Sequence, residues 1–128
     1  MTWEVVFGDE FDGEFEALPQ TVQDELLASA KLLGVFGPQL GRPHADTLNA
    51  SSFANMKELR FDADDGVWRV AFAFDRKRKA ILLVAGDKSG VSEKRFYKSL
   101  IAKADKRYQG ISSVWRRRRR RRSDGTQA

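Results

Sequence analysis

Apolar residues fall in two rhythms along the early part of the chain. Thr2-Trp-Glu-Val-Val-Phe7 is β-branched and aromatic, which predicts a short first strand. Gly8 and Asp9 break it, and Asp9 or Asp12 suits the cap of a following helix. Phe11, Phe15 and Leu18 then stand at i, i+4 and i+7 on one helical face. Pro19 ends that helix and suits the first position of the next. Val22, Leu26, Leu27, Ala30 and Leu33 keep the helical period to about Gly34. Two helices packed as a hairpin are expected.

Gly37-Pro-Gln-Leu-Gly-Arg-Pro43 is a stiff connector, and the polar stretch from His44 to Ser52 is expected to be a loop. Met56-Lys-Glu-Leu-Arg-Phe61 predicts a strand and Asp62-Ala-Asp-Asp-Gly66 a turn. Val67 to Phe74 alternates, with Trp68, Val70, Phe72 and Phe74 on one face and Arg69 on the other. Asp75-Arg-Lys-Arg-Lys79 is a charged turn, and Ala80-Ile-Leu-Leu-Val-Ala85 is apolar enough for a central strand. These three strands form an antiparallel meander. Phe96, Leu100, Ala104 and Tyr108 recur every four residues, so a last helix is expected from Glu93 to Gln109, capped by Ser92 and ended by Gly110. Beyond it no apolar period survives. The expected division is a folded domain over 1–110 and a disordered, arginine-rich tail over 111–128.

Composition narrows the chemistry. Of 128 residues none is Cys and one is His, which removes disulfides, thiolate nucleophiles and Cys- or His-based metal clusters. No metal or other cofactor is expected. No apolar run reaches the roughly 18 to 20 residues of a membrane span. The first residues carry acids where a signal peptide needs positive charge, so the expected location is the cytoplasm with no membrane partner.

The formal net charge of +5 hides an asymmetry. Seven consecutive arginines, Arg116 to Arg122, account for more than all of it, and they would bind any polyanion with strong salt dependence. The first 30 residues hold eight acids and no base, whereas from Arg76 to Arg107 there are 11 bases and three acids. One end of the domain is acidic and the other suits an anion.

Several blocks in order carry a resemblance. Leu33-Gly34, Gly37-Pro38, Leu40-Gly41-Arg42-Pro43, Asp46 and Leu48 lead to Met56-Lys57-Glu58-Leu59-Arg60. Trp68-Arg69-Val70, Gly86-Asp87-Lys88, Lys94-Arg95 and Ala102-Lys103-Ala104 follow. Over roughly residues 3–109 this pattern resembles the phage-derived Gp49-like branch of the RelE/ParE toxin superfamily, which includes many HigB-type toxins. The resemblance implies an α+β, RelE-like fold. An N-terminal strand and helical hairpin would pack on a four-stranded, mostly antiparallel sheet, with a C-terminal helix at its basic end. It implies the toxin of a type II toxin–antitoxin pair, a ribosome-dependent, metal-independent endoribonuclease that cuts messenger RNA. The alternatives are a ParE-like DNA gyrase inhibitor on the same fold and a weakened RNA-binding remnant. The implied partners are the ribosome, messenger RNA and a helix-turn-helix antitoxin of the HigA/Xre type.

Metal-free RNA cleavage requires the ribose 2′-OH to attack the adjacent phosphate, and stabilising the charge that grows there is often the largest catalytic contribution. Arg69 is the first candidate, because it interrupts an apolar strand and a guanidinium clamps phosphate bidentately. It matches the family's phosphate-binding arginine. Lys88, after the last strand, matches a basic residue that faces the scissile phosphate, with Asp87 standing where many relatives carry another base. Lys94 and Tyr97 begin the last helix, where relatives place acid/base groups; Tyr97 reads equally as a half-buried core tyrosine. Lys57, Arg95 and Lys98 are candidate RNA contacts. Arg60 is either a second phosphate ligand or the structural partner of an acid. His44 reads as a loop histidine, and Asp62, Asp64 and Asp65 read as turn residues rather than metal ligands.

Overall fold

A computed structural model describes residues 2–126, with side chains for 2–111. The arginine run and most of the expected tail lie outside the described side chains. Strand β1 (Glu4–Phe7) leads into helices α1 (Asp9–Glu16) and α2 (Gln20–Phe36). A single 3-10 turn over Gly37–Gln39 precedes β2 (Ala45–Thr47), and the chain then forms β3 (Met56–Ala63), β4 (Gly66–Phe74) and β5 (Lys79–Asp87) before α3 (Glu93–Thr126). The sheet order is β1-β5-β4-β3-β2. β1 runs parallel to β5, and the other pairs are antiparallel.

The α+β class and the mostly antiparallel sheet agree with the expectation, but the sheet has five strands rather than four. The additional strand is β2, inside the segment expected to be a loop. Three residues are too few to show a period of two. Being on the sheet edge, β2 buries only Ala45, opposite Leu59, and leaves Asp46 and Thr47 looking like loop residues.

Alternation along the strands builds two cores. Leu59, Val70, Phe72 and Leu82 face α1 and α2, where Phe11, Phe15, Leu26 and Leu33 close over them. Met56, Ala71, Ala73 and Leu83 face the other way, under Phe96, Leu100 and Ala104 of α3. A bulge shifts the β4–β5 register between Ala71 and Phe72, so Leu83 and Val84 both reach the α3 side. The hairpin between β3 and β4 turns on Asp64 and Asp65, both with positive φ (52° and 59°), as a two-residue turn requires. α3 runs through Gly110, where the sequence predicted a stop. One interior glycine costs a helix only about 1 kcal/mol relative to alanine. Arg107 fastens α3 to α1 by donating to both carboxylate oxygens of Glu14 (2.8 and 2.6 Å) and to the Leu83 carbonyl (2.6 Å).

Candidate functional site

The β3 sequence Met56-Lys-Glu-Leu-Arg60 sends Met56, Glu58 and Arg60 to the α3 face. The register sets Arg60 directly opposite Arg69 and Glu58 opposite Ala71. Two guanidiniums facing each other across a ladder repel. Glu58 lies beside both and offsets that repulsion. Its Oε2 is 2.9 Å from Arg60 Nη1, and its Oε1 is 3.8 Å from Arg69 Nε. The Tyr97 hydroxyl, from the second turn of α3, donates to Glu58 Oε1 at 2.8 Å and accepts from Arg69 Nε at 3.3 Å. Arg69 Nη1 donates to the Trp68 carbonyl at 2.8 Å. The result is one connected network in which a single carboxylate holds two arginines and a tyrosine.

Burial ranks the two arginines. The side chain of Arg69 keeps 7% of its surface exposed and that of Glu58 4%, whereas Arg60 keeps 20%. Arg60 is therefore the cation that solvent reaches first, with Arg69 behind it. Gly86 is paired with Arg69 on the neighbouring strand, and a Cβ there would sit 2.9 Å from the Phe96 ring. Its missing side chain lets α3 settle against the sheet and bring Tyr97 over Glu58. Burial, and then the hydrogen bond to Glu58, raise the Tyr97 pKa above the usual phenol value. Tyr97 is thus a neutral proton donor across the physiological range.

Glu58, Arg60 and Tyr97 of this network form the floor of an open groove of about 400 Å³, with Arg69 buried behind them. One wall is β2 and the turn after it, including Thr47, Leu48 and Asn49, and the other is α3, with Glu93, Tyr97 and Ile101. Lys88 reaches the start of α3, where its Nζ lies 3.0 Å from Glu93 Oε1. The hydrogen bond and charge of Lys88 hold the Glu93 carboxyl below its ordinary pKa, with smaller contributions from Arg60 and Arg69. The cations around the groove are therefore matched by carboxylates: Arg42 by Asp46 at 2.8 Å, Arg60 by Glu58, and Lys88 by Glu93.

Of the residues singled out from sequence, Arg60, Arg69 and Tyr97 converge, and Lys88 joins them through Glu93. Lys94, Arg95 and Lys98 are exposed on the first turns of α3. Lys57 is elsewhere. It lies on the opposite face of β3, 3.3 Å from the Pro38 carbonyl and 5.9 Å from the centre of the Phe74 ring. Asp87 is a fastening residue. Its Oδ1 accepts from the Val67 amide (3.0 Å), the Ser89 amide (2.9 Å) and the Ser89 hydroxyl (2.6 Å). His44 is exposed in the connector. Among the described residues, no three Asp, Glu, His or Cys side chains are grouped to hold a metal ion. No helix among them is long and apolar enough to cross a membrane.

Glu58 is the component that sequence reasoning missed. The signal was present, since residues two apart on a strand share a face and an acid two before Arg60 is its natural partner. What the sequence lacked was the β3–β4 register, which brings Arg69 to the same carboxylate.

Comparison with known proteins follows the same lines. The profile of the phage-derived Gp49-like proteins matches residues 13–109. A Mycobacterium tuberculosis protein named as the toxin HigB3 is 46% identical over 93 residues, covering 73% of this chain and 79% of that protein. A second from the same organism, named as the toxin HigB2, is 40% identical over 74 residues, 57% of this chain and 37% of its own length. Among solved structures, a double arginine mutant of Escherichia coli toxin RelE in the free state superposes with a TM-score of 0.57 at 13% identity. That match covers 80% of this chain and 97% of RelE. The archaeal RelE–RelB complex of Pyrococcus horikoshii gives a TM-score of 0.52 at 16% identity, over 71% of this chain and 100% of the matched chain.

Proposed function

We infer that this chain, which belongs to the phage-derived Gp49-like family of RelE/HigB-type toxins, cuts messenger RNA on the translating ribosome and is restrained by an antitoxin. The observation that carries this reading is the cross-strand pair Arg60–Arg69, with Arg60 and Tyr97 lining an open groove and Arg69 buried directly behind them. The pair supplies what an in-line attack by a 2′-OH needs most, fixed positive charge beside the phosphate as it gains negative charge. Arg60, the more open of the two, meets the phosphate first, and Arg69 stabilises it from behind. The reaction forms a bond from the 2′ oxygen to phosphorus and breaks the bond from phosphorus to the 5′ oxygen. It leaves a cyclic phosphate and a 5′ hydroxyl, the proton of the attacking 2′-OH passing to water in the open groove. Tyr97, held neutral, is placed to give a proton to the departing 5′ oxygen. Lys88 adds charge once Glu93 releases it, and Lys94, Arg95 and Lys98 suit contacts with RNA phosphates along the exposed start of α3. No metal or cofactor enters this scheme. The antitoxin would be a helix-turn-helix protein of the HigA/Xre type, and the site of action the cytoplasm.

A second reading, inhibition of DNA gyrase on the same fold, is favoured by the burial of Arg69 against Glu58. One experiment separates the two. Messenger 5′ ends are mapped in a reconstituted translation reaction with the full chain, with and without ribosomes, beside Arg60→Ala and Arg69→Ala. New ends only during translation, reduced 100-fold or more in both variants, are expected. Intact messenger under all conditions, together with inhibited supercoiling in a gyrase assay, would replace cleavage by the second reading.

A further inference from the structure

We propose that the groove between the β2 wall and α3 is a subsite for one nucleotide of single-stranded RNA, with Asn49 reading the edge of its base. This rests on the RNA reading above and names where along the chain sequence preference would arise.

Three features of the groove point to a nucleotide. Both walls contribute apolar groups, Leu48 from the β2 side and Ile101 and the Tyr97 ring from α3, between which the flat face of a base can lie. Two arginines line the same space, Arg60 paired with Glu58 and Arg42 paired with Asp46, and each keeps guanidinium N–H groups outside its ion pair that can donate to a phosphate. Asn49 lines the same space, and among the described residues its carboxamide has no hydrogen-bond partner. A carboxamide offers a donor and an acceptor side by side, the pattern that reads a base edge. The volume of about 400 Å³ lies at the small end of ligand pockets, which span about 300–1,000 Å³.

The wall is fastened in place. The Ser51 hydroxyl and the Ser52 amide (2.9 Å) both donate to Asp105 of α3, and Asn55 donates to the Tyr108 hydroxyl at 2.8 Å. At its other end Asp46 accepts from Arg42 at 2.9 Å and from the Thr47 amide at 2.8 Å. Asn49 therefore sits in a short turn between two anchored ends, so its backbone is held near one place before anything binds. The arginines position the RNA backbone without regard to sequence, and Asn49 contributes the discrimination.

The test uses the full chain and four nucleoside 3′,5′-bisphosphates as probes, with inorganic pyrophosphate as the phosphate-only control. Binding is followed through the Leu48 and Ile101 methyl resonances and the Asn49 side-chain amide. The bisphosphates are expected to shift these signals and to differ in affinity, while pyrophosphate leaves the methyl groups unmoved. Asn49→Ala is expected to weaken the preferred nucleoside at least 5-fold and to level the four affinities, as loss of a paired contact to a base edge does. Asn49→Asp, which keeps the size and removes the donor, is expected to change the order of preference. Unmoved methyl groups with all four probes would overturn the proposal, as would an Asn49→Ala protein that ranks them like the wild type. Methyl shifts produced only by an antitoxin peptide would overturn it too and give the groove to a protein. Base-dependent binding lost in Asn49→Ala, without messenger cleavage in the translation assay, would leave the subsite standing and remove the cleavage reading alone.

Discussion

The two faces of the sheet are made by alternate residues of the same strands, yet they are stabilised in different ways. On the α1–α2 face, Phe72 belongs to one apolar cluster with Phe11, Phe15, Leu26 and Leu33. On the α3 face, the apolar half ends at Ala71, which is paired with Glu58, and the next pair on that face is Arg60 with Arg69. The closed face derives its stability from area removed from water, at about 25 cal/mol per Å². The open face takes charged groups out of water, which is costly, and recovers the cost only through mutual pairing. Such an arrangement makes little sense as a way to stabilise a fold. It makes sense as a way to hold two guanidiniums at a fixed spacing.

That contrast has consequences for mutants. Phe72→Ala is expected to lower stability by about 3–5 kcal/mol through loss of packing and the cavity left behind. Messenger cleavage per folded molecule should change little. Glu58→Ala is expected to cost a similar amount, about 3–5 kcal/mol, because two arginines remain facing each other with their carboxylate gone. Here cleavage should fall as well. The triple replacement Glu58→Met, Arg60→Leu, Arg69→Met sharpens the comparison. Stability should return to the wild-type value or rise by about 1–4 kcal/mol, while cleavage stays abolished. Urea unfolding and the translation assay together decide the matter. A triple variant as unstable as Glu58→Ala would show that the network supports the fold itself.

A smaller effect tests how α3 closes the open face. Gly86→Ala is expected to cost about 1–3 kcal/mol by pressing on Phe96. It should also shift Tyr97 away from Glu58. The tyrosine resonance and the urea midpoint should therefore change together. A lowered midpoint with an unmoved Tyr97 signal would separate helix packing from assembly of the site.

Much of this architecture was legible in the sequence, for identifiable reasons. Helical spacing at Phe11 and Phe15, and at Phe96, Leu100 and Ala104, marked faces that the structure does bury. Alternation along Val67 to Phe74 correctly put Arg69 opposite Val70 and Phe72. The misses have separate causes. β2 is recognised only by its pairing with Lys57–Leu59, a relation between segments that no local period displays. The helix continuing through Gly110 reflects a small local cost set against a continuous backbone. The grouping of Glu58 with Arg69 depends on cross-strand register, which no single segment displays. Lys57 has a different, local reason. Composition says it is basic, but its parity on β3 sends it to the other face.

The smallest effect concerns Asp87, which fastens the ends of β4 and β5 beside the groove without joining the Glu58 network. Burial tends to raise its pKa, but hydrogen bonds from Ser89 and the Val67 amide outweigh that and hold it below the ordinary aspartate value. A carboxylate with a lowered folded pKa contributes stability above its unfolded value of about 3.9, and that contribution disappears as pH falls through the folded value. Asp87 is exposed, so screening limits the contribution to about 1 kcal/mol or less. Asp87→Asn is therefore expected to unfold at slightly lower urea than the wild type at pH 7, and the two midpoints should converge as pH falls below the unfolded value and through the lowered folded one. A gap that persists unchanged into acid would mean that shape, rather than charge, is what Asp87 supplies to this end of the sheet.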